Sequence, residues 1–582
     1  MASPFFCRDA EPCCGSLAAG AIINPLTSNI DPMSQPPSTL PSVHRVPFAD
    51  MQRFPALFTD YCTNFDAVAD FYAGDFRAPA DRAAAAERAA SYTRDRGSLA
   101  DVLLDQNERW GGADAVRANI NALRQPDTVA VVTGQQVGLL TGPLYTIYKT
   151  ITALQLADQL SDETGRPVVP VFWMAGEDHD FEEVAHTHVL QHNNLVELAY
   201  EAPTGSDENL GAVGRLELTE QITAVLDELD ETLPSSDFKL RLMQDVRAAY
   251  QPGTTLADAF GRLLRALFPN TGLVLMSSDD ARLKQLAAPL FRRELTDYAE
   301  AYGRIEATSD VLERDYHAQV HARPTNLFWL EASRRLPIDA QDDGSFVLRG
   351  TERTFTEAEL LDRLDAHPEA FSPNVVLRPL MQDTLLPTAA YVAGPGETSY
   401  FAQYRGVYDW AEIPMPIIYP RASVSLVESK VEKVLDKFDL SVADLVEGVD
   451  PLFQRIVVDA MDVDVEGVFE DVTRSLHQAI NELKPAVEAV DSTLARSAEA
   501  TRAALMNEME AFKSRVVRAE KNNQDEVRAQ IEKAHANLVP GSTLQERVVS
   551  VLYFLNKYSP ELLAELRVAL DVDTTEHQVV SL

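Results

Sequence analysis

Cysteine is nearly absent from this chain. Its 582 residues include four, Cys7, Cys13, Cys14 and Cys62, and three of these precede residue 15. So few thiols exclude a disulfide framework in the folded body and fit a reducing, cytoplasmic compartment. The adjacent pair Cys13-Cys14 lacks the spacing of a zinc site and reads as unpaired thiols. Long apolar runs are missing too, and none approaches the ~20 residues that span a bilayer. Basic residues are few: 51 Lys and Arg stand against 89 Asp and Glu, a formal net charge of -38. A surface this acidic repels phosphate backbones and anionic lipid, which argues against nucleic-acid and membrane partners. The charge is spread along the chain, as on a solvated face that high salt would screen, so a halophilic source would explain it. A stability curve flat against KCl would oppose that explanation.

The hydrophobic fraction is 46%, enough for packed cores in two or three domains. Residues 1–44 read as a disordered leader with a Pro/Ser-rich stretch from Pro32 to Pro41. No basic segment leads into an apolar one there, so it does not read as a signal peptide, and Met33 is an alternative start. A helical entry segment is expected from Val46 through Phe54, Phe58, Tyr61 and Phe65.

Val129–Val132 is apolar throughout, as expected of a strand inside a sheet covered on both faces. It runs into Thr133-Gly134-Gln135-Gln136-Val137-Gly138, after which Pro143 opens a helix. Val168–Trp173 gives a second strand and completes a βαβ unit. Further strands are expected at 272–276, 374–379, 390–393 and 415–419. The fold class is therefore α/β, a doubly wound core over 45–421 with inserts near 187–268 and 305–370. From Val468 to Leu538 apolar residues keep three- and four-residue steps between charged ones. This predicts an antiparallel coiled-coil hairpin within 422–540, turning near Asp491-Ser492, with an ordinary helical bundle as the alternative. Pro540-Gly541 stops the helix, and 541–582 is expected to pack back on the core.

Three clusters could carry chemistry. The Gly134–Gly142 stretch lies beyond a strand end, where backbone N–H groups can approach an anion and Thr133, Gln135 and Gln136 add hydrogen bonds. It matches neither the P-loop nor G-x-G-x-x-G, and its glycines could instead serve close packing. Glu177-Asp178-His179-Asp180 ends the second strand, with Glu182, Glu183, His186 and His188 behind it. Such groups can hold Mg²⁺, act as a base or orient an amine, or simply begin a solvated helix. No H-E-x-x-H occurs. Gly394-Pro395-Gly396-Glu397 is a second glycine turn, preceded by Asn374, Arg378 and Gln382. Arg378 and Arg421 suit carboxylate or phosphate recognition, or structural ion pairs. His317, His321 and Arg323 could reach the site from an insert.

The stretches Gly134–Lys149, Val168–Glu182, Ser372–Asp383, Tyr391–Glu397 and Pro414–Pro416, with Leu544–Arg547 and Phe554–Tyr558, resemble the bacillithiol biosynthesis cysteine-adding enzymes. The likeness runs from about residue 45 to the C-terminus. It implies a Rossmann-like core with two connecting inserts and a coiled coil that makes a homodimer. The implied reaction joins cysteine to the amine of glucosaminyl-malate. Amide formation in water needs an activated carboxyl, so ATP or another nucleotide is the expected cofactor, with Mg²⁺ undecided. On this reading Thr133, Gly134, Gln135, Gln136 and Gly138 cradle the nucleotide, and Asp178, His179 or Asp180 orients or deprotonates the amine. Arg378 and Arg421 hold the malate carboxylates, while Asn374, Gln382, Gly394, Gly396 and Glu397 complete the cleft. Two other readings stay open: a metal-dependent hydrolase or deacetylase built on the Glu177–His188 cluster, and a nucleotide-binding coiled-coil scaffold without catalysis.

Overall fold

The fold is described from a computed structural model, covering residues 42–201, 210–331, 334–460 and 465–582. The expected leader, with Cys7, Cys13, Cys14 and Met33, lies outside the described residues up to 41. At its far end Val43 already opens a strand, Val43–Pro47. The helical entry segment therefore starts later than expected, with Phe48–Met51 and Ala56–Thr63.

Five parallel strands form the central sheet: β1 (Val129–Gln136), β2 (Val168–Ala175), β3 (Val274–Ser277), β4 (Thr388–Ala393) and β5 (Ile417–Pro420). Their spatial order is β5-β4-β1-β2-β3. The chain thus builds outward from β1 in one direction, then returns to lay β4 on its other side. This is the Rossmann order, with its switch point between β1 and β4. Side chains of β2 alternate between two cores, Val171 and Trp173 entering one and Phe172 and Met174 the other. Helices cover both faces, which explains why β1 carries no polar alternation. Helix α1 (Leu144–Thr164) makes the crossover from β1 to β2.

The first insert contributes a hairpin, His186–Gln191 with Asn194–Ala199, and three helices between 221 and 267. The long helix α2 (Ala281–Leu312) follows β3. The second insert is a five-stranded antiparallel sheet that includes Leu327–Leu330, Arg335–Ala340 and Phe371–Pro373. Here one expectation fails. Residues 374–379 are not a strand of the central sheet but the turn into helix α3 (Leu377–Leu385). The Asn374 side chain accepts hydrogen bonds from the backbone N–H groups of Val376 and Leu377 at 2.9 and 3.1 Å. Pro379 falls in the first helical turn, where its missing N–H costs nothing. Helix α4 (Pro395–Phe401) leaves β4 at Gly394.

Helices α5 (Val465–Val490) and α6 (Ala495–Leu538) form the expected hairpin, joined by a turn at Ser492–Leu494. The base of α6 buries Ile531, Ala534 and Leu538 in a third core with Val427, Val431 and Leu445. The C-terminal strand Glu576–Ser581 pairs with both Val43–Pro47 and Val424–Val427, so the chain's end ties its first described strand to the exit from the sheet. No described helix is long and apolar enough to cross a membrane.

Candidate active site

A cavity of about 910 Å³ opens over the carboxyl ends of β1, β2 and β4, at the switch point. Of the residues singled out by sequence, Gly134, Gln135, Gln136, Asp178, His179, Asn374, Arg378, Gly394, Gly396, Glu397 and Arg421 line it, as do His321 and Arg323. Four lie elsewhere. Thr133 is buried between strands, its hydroxyl donating to the Val392 carbonyl at 3.0 Å. Gly138 lines a smaller neighbouring cavity. Asp180 caps the short helix Phe181–Val184. Gln382 is buried in α3, donating to Asp383 and accepting from Arg378 at 3.2 Å.

At the floor of the cavity, β1 remains extended through Gln136, so Gly134 belongs to the strand and not to a loop. A Cβ there would lie 3.1 Å from the Trp173 carbonyl. Its glycine therefore serves close packing of β1 on β2. Trp173 contributes to the cavity lining, and its indole N–H is buried with no hydrogen-bond partner among the described residues. Lys149, from α1, is buried beneath the floor. It donates to the Gly134 carbonyl at 2.8 Å and pairs with Glu397. Burial lowers the Lys149 ammonium, opposed by the Glu397 charge. Burial alone would raise Glu397, but Lys149, the Gly394 N–H and the Arg378 charge together hold the carboxyl below its ordinary value. Glu397 also accepts from the Gly394 N–H at 2.7 Å and the Tyr391 hydroxyl at 2.8 Å. This carboxylate thus locks the second glycine turn to the floor.

One wall carries the acidic cluster. Glu177 is buried and paired with Lys284, which also donates to the Phe371 carbonyl at 2.8 Å. Asp178 accepts from His179 Nδ1 at 3.1 Å and from Arg335 Nη1 at 3.1 Å. Burial would raise the Asp178 carboxyl, but the His179 hydrogen bond and the Arg335 charge prevail and hold it at about 2. Asp178 is therefore a poor base; it orients His179. Arg335 comes from the second insert, donates to the Pro373 carbonyl at 2.8 Å, and lies 3.8 Å over the Phe328 ring. His186 and His188 sit away from this group on the first insert's hairpin. Among the described residues, no three His, Cys, Asp or Glu side chains are grouped to hold a metal ion.

The lining as a whole is cationic. Seven cationic side chains line the cavity, Lys149, Arg323, Arg335, Arg349, Arg378, Arg421 and Arg547, against four carboxylates. In a chain of net charge -38 this is a local reversal of sign. Four of the seven are committed to protein carboxylates: Lys149 to Glu397, Arg335 to Asp178, Arg349 to Asp339 and Arg421 to Glu546. The Arg421–Glu546 pair is fully buried and bidentate, at 2.9 and 2.6 Å. It holds the C-terminal return against the sheet, so the Arg421 fork is spent on the fold. Among the described residues, Arg378 contacts neutral groups directly, Gln382 and the hydroxyls of Tyr391 and Tyr400. Burial would lower this guanidinium, but the phenols of Tyr391 and Tyr400 and the Glu397 charge keep it cationic. Arg323 and Arg547 form no ion pair among the described residues.

Sequence reading overlooked Lys149, Arg335, Trp173 and Arg547. Lys149 gave a usable signal, as a lone lysine in a helix whose neighbours Ile147, Tyr148, Thr150 and Ile151 are all buried. Arg335 gave none, because its place depends on the insert's strand register.

Residues 42–422 match the family model described as "Bacillithiol biosynthesis BshC, N-terminal Rossmann-like domain". Residues 424–582 match the "C-terminal coiled-coil domain" of the same description. A protein of Salinibacter ruber named "Putative cysteine ligase BshC" is 63% identical over 546 residues, covering 94% of this chain and 100% of the relative. Relatives with the same name from Chloroherpeton thalassium and Chlorobaculum tepidum are 38% and 35% identical. They cover 89% and 91% of this chain, and 94% and 97% of their own lengths.

Proposed function

The chain belongs to the bacillithiol biosynthesis BshC family, and from that premise we propose that it is a carbon–nitrogen ligase joining the cysteine carboxyl to the amine of glucosaminyl-malate. The observation that carries this reading is the cation-lined cavity at the switch point of an otherwise acidic molecule. Both an activated nucleotide and a malate dicarboxylate are anionic ligands that such a wall would select.

Activation comes first. A cysteine carboxylate oxygen attacks a phosphorus of ATP, leaving an acyl-phosphate and ADP or an acyl-adenylate and pyrophosphate. Gly134, Gln135 and Gln136 would receive the phosphoryl group above Lys149. The sugar amine then attacks the activated carbonyl carbon. The C–N bond forms, phosphate or AMP departs with the C–O electron pair, and the nitrogen gives up a proton. His179, oriented by Asp178, takes that proton. Arg378 and Arg323 hold the malate carboxylates, and Arg421 positions the wall through Glu546.

The hairpin supports a homodimer. Val468, Val472, Leu483 and Val490 on α5, with Leu505 and Phe512 on α6, are exposed apolar side chains on long helices. A second copy would cover them.

Mass spectrometry of the protein incubated with glucosaminyl-malate, cysteine and ATP tests the reading. Bacillithiol is expected, with AMP or ADP identifying the activated species. No product from folded protein at any salt concentration overturns it. Full turnover by His179→Ala removes His179 from its role.

A further inference from the structure

A second cavity, about 290 Å³, lies behind the first and shares Gln135, Gln136, Tyr145, Glu183 and Arg547 with it. Its polar walls are under-used by the protein. The hydroxyls of Thr141, Thr146 and Thr187 and the side-chain carbonyl of Gln136 are buried and have no protein hydrogen-bond partner, and all four residues line this space. The three threonines are almost wholly inaccessible. Such groups are costly to bury unpaired, because each forfeits its hydrogen bonds to water.

Neighbouring threonines show that this is not a general habit of α1. Thr150 and Thr152 donate back to the carbonyls of Thr146 and Tyr148 at 2.9 and 2.8 Å. Thr146, in the first turn, does not. Thr141 carries a further cost. It and Leu140 both hold positive φ, 70° and 54°, a conformation that β-branched and bulky residues rarely adopt. The turn is held there by the Tyr250 hydroxyl, which accepts from the Leu140 N–H at 2.8 Å, and by Gly142 at φ 67°. Backbone strain combined with orphaned polar atoms is the pattern of a ligand-shaped turn.

We propose that this smaller cavity is the subsite for the α-amino acid, L-cysteine, with Arg547 and Glu183 at the mouth it shares with the larger cavity. The assignment rests on the ligase reading above for the identity of the amino acid. The chemistry is that of a zwitterion. Arg547, unpaired and common to both cavities, meets the α-carboxylate and leaves it facing the larger cavity, where activation takes place. At the same shared mouth, Gln136 donates to Asp178 at 3.2 Å and Glu183 at 2.9 Å, which leaves its carbonyl acceptor unused. Glu183 sits beside it, its carboxyl raised by burial and by the charges of Asp178 and Asp180. An acceptor without a donor, beside a carboxylate that forms no ion pair with Lys or Arg among the described residues, suits an ammonium group. The threonine hydroxyls remain for the side chain. Small-molecule sites run from ~300 to ~1,000 Å³. The smaller cavity sits at the bottom of that range, on an amino-acid scale, and the larger near the top.

Isothermal titration of L-cysteine into the full-length protein under reducing conditions, with and without ATP, tests this. The variants are Thr146→Val with Thr187→Val, and separately Arg547→Gln. Each is expected to weaken L-cysteine binding about tenfold or more, as removal of one or two ligand hydrogen bonds should. For the threonine pair, ATP and glucosaminyl-malate should bind as before. The threonine pair should lose no melting temperature, because the removed hydroxyls bond nothing in the protein. No L-cysteine binding to the wild type, unchanged cysteine affinity in the variants, or a loss confined to ATP or acceptor each overturns the subsite. A lower melting temperature with intact cysteine binding does so as well, by marking the hydroxyls as structural. Failure of the underlying reading would look different. Cysteine binding that the variants weaken, without amide formation by the wild type, keeps the subsite and removes the ligase. Amide formation with an unchanged KM for cysteine in the variants does the reverse.

Discussion

Two concavities of comparable size, about 910 Å³ at the central sheet and about 740 Å³ between α5 and α6, are built in opposite ways. The hairpin groove is lined from two neighbouring helices by residues such as Phe469, Arg474, His477 and Lys513, largely exposed. The sheet cavity draws on β1, β2, the turns after β3 and β4, the second insert and the C-terminal return. Its floor holds buried charges whose partners come from distant sequence. Volume therefore does not distinguish a site from a gap between helices. What does is the convergence of polar groups that the fold has desolvated and fixed. The hairpin's own signal is the contrary one, apolar side chains left in solvent, with Val490 82% exposed and Leu483 59% exposed.

The sharpest way to break this contrast is to cut the tie between the C-terminal return and the sheet. Glu546→Ala leaves Arg421 buried without a counter-charge and should destabilise the core by about 3–5 kcal/mol. Denaturant titration measures it, and a change below ~1 kcal/mol would show that the return is dispensable.

Next is pH. Glu294 is fully buried in α2. Burial raises its carboxyl to about 7, although Oε1 accepts from the Asn326 backbone at 2.7 Å and its side chain at 3.0 Å. Between pH ~4.5, the unfolded value, and ~7 the folded state holds the extra proton. Stability therefore falls as pH rises through that window, by on the order of 3 kcal/mol for this group. Glu294→Gln should remove that slope, so the variant gains on the wild type from pH 5 to pH 8 in matched melts. Parallel curves would refute the shift.

A smaller effect separates binding from folding. Arg378→Ala should raise the KM for glucosaminyl-malate about 10- to 100-fold, the loss of a charge-assisted contact worth ~1.5–3 kcal/mol, with kcat less affected. Arg421→Lys should instead lower thermal stability first, because its bidentate partner is Glu546. Equal kinetic and stability profiles for the two variants would erase the distinction drawn between them.

The mildest change to the core should come from the hairpin. Leu483→Glu with Phe512→Glu is expected to shift the protein from dimer to monomer in sedimentation while turnover per chain stays within about twofold. Loss of turnover with dissociation would mean that the hairpin completes the active site.

Legibility in the sequence followed the range of the interactions. The runs at 129–132 and 168–173 identified β1 and β2, because a strand buried on both faces leaves no room for polar alternation. The stripe from Val468 to Leu538 identified the hairpin, because helical periodicity is local. The run at 374–379 misled for the same reason. Its apolar pattern fits a strand, and only Asn374 capping α3 with Pro379 in the first turn decides for helix. At the site, Gln135, Gln136, Asp178 and His179 could be named from strand ends, whereas Arg378 sits in a helix and Thr133 and Gln382 were turned inward by register and helical phase.

By itself, then, the sequence determined the α/β core, the hairpin, the acidic surface and the strand ends where chemistry could sit. Those features are written in neighbouring residues, through propensity, periodicity and composition. Tertiary structure alone decided that Lys149 would pair with Glu397, that Arg335 would clamp Asp178, and that Arg421 would be taken by Glu546, 125 residues away. Desolvated charges choose their partners by distance in space, and the order of strands in the sheet sets those distances.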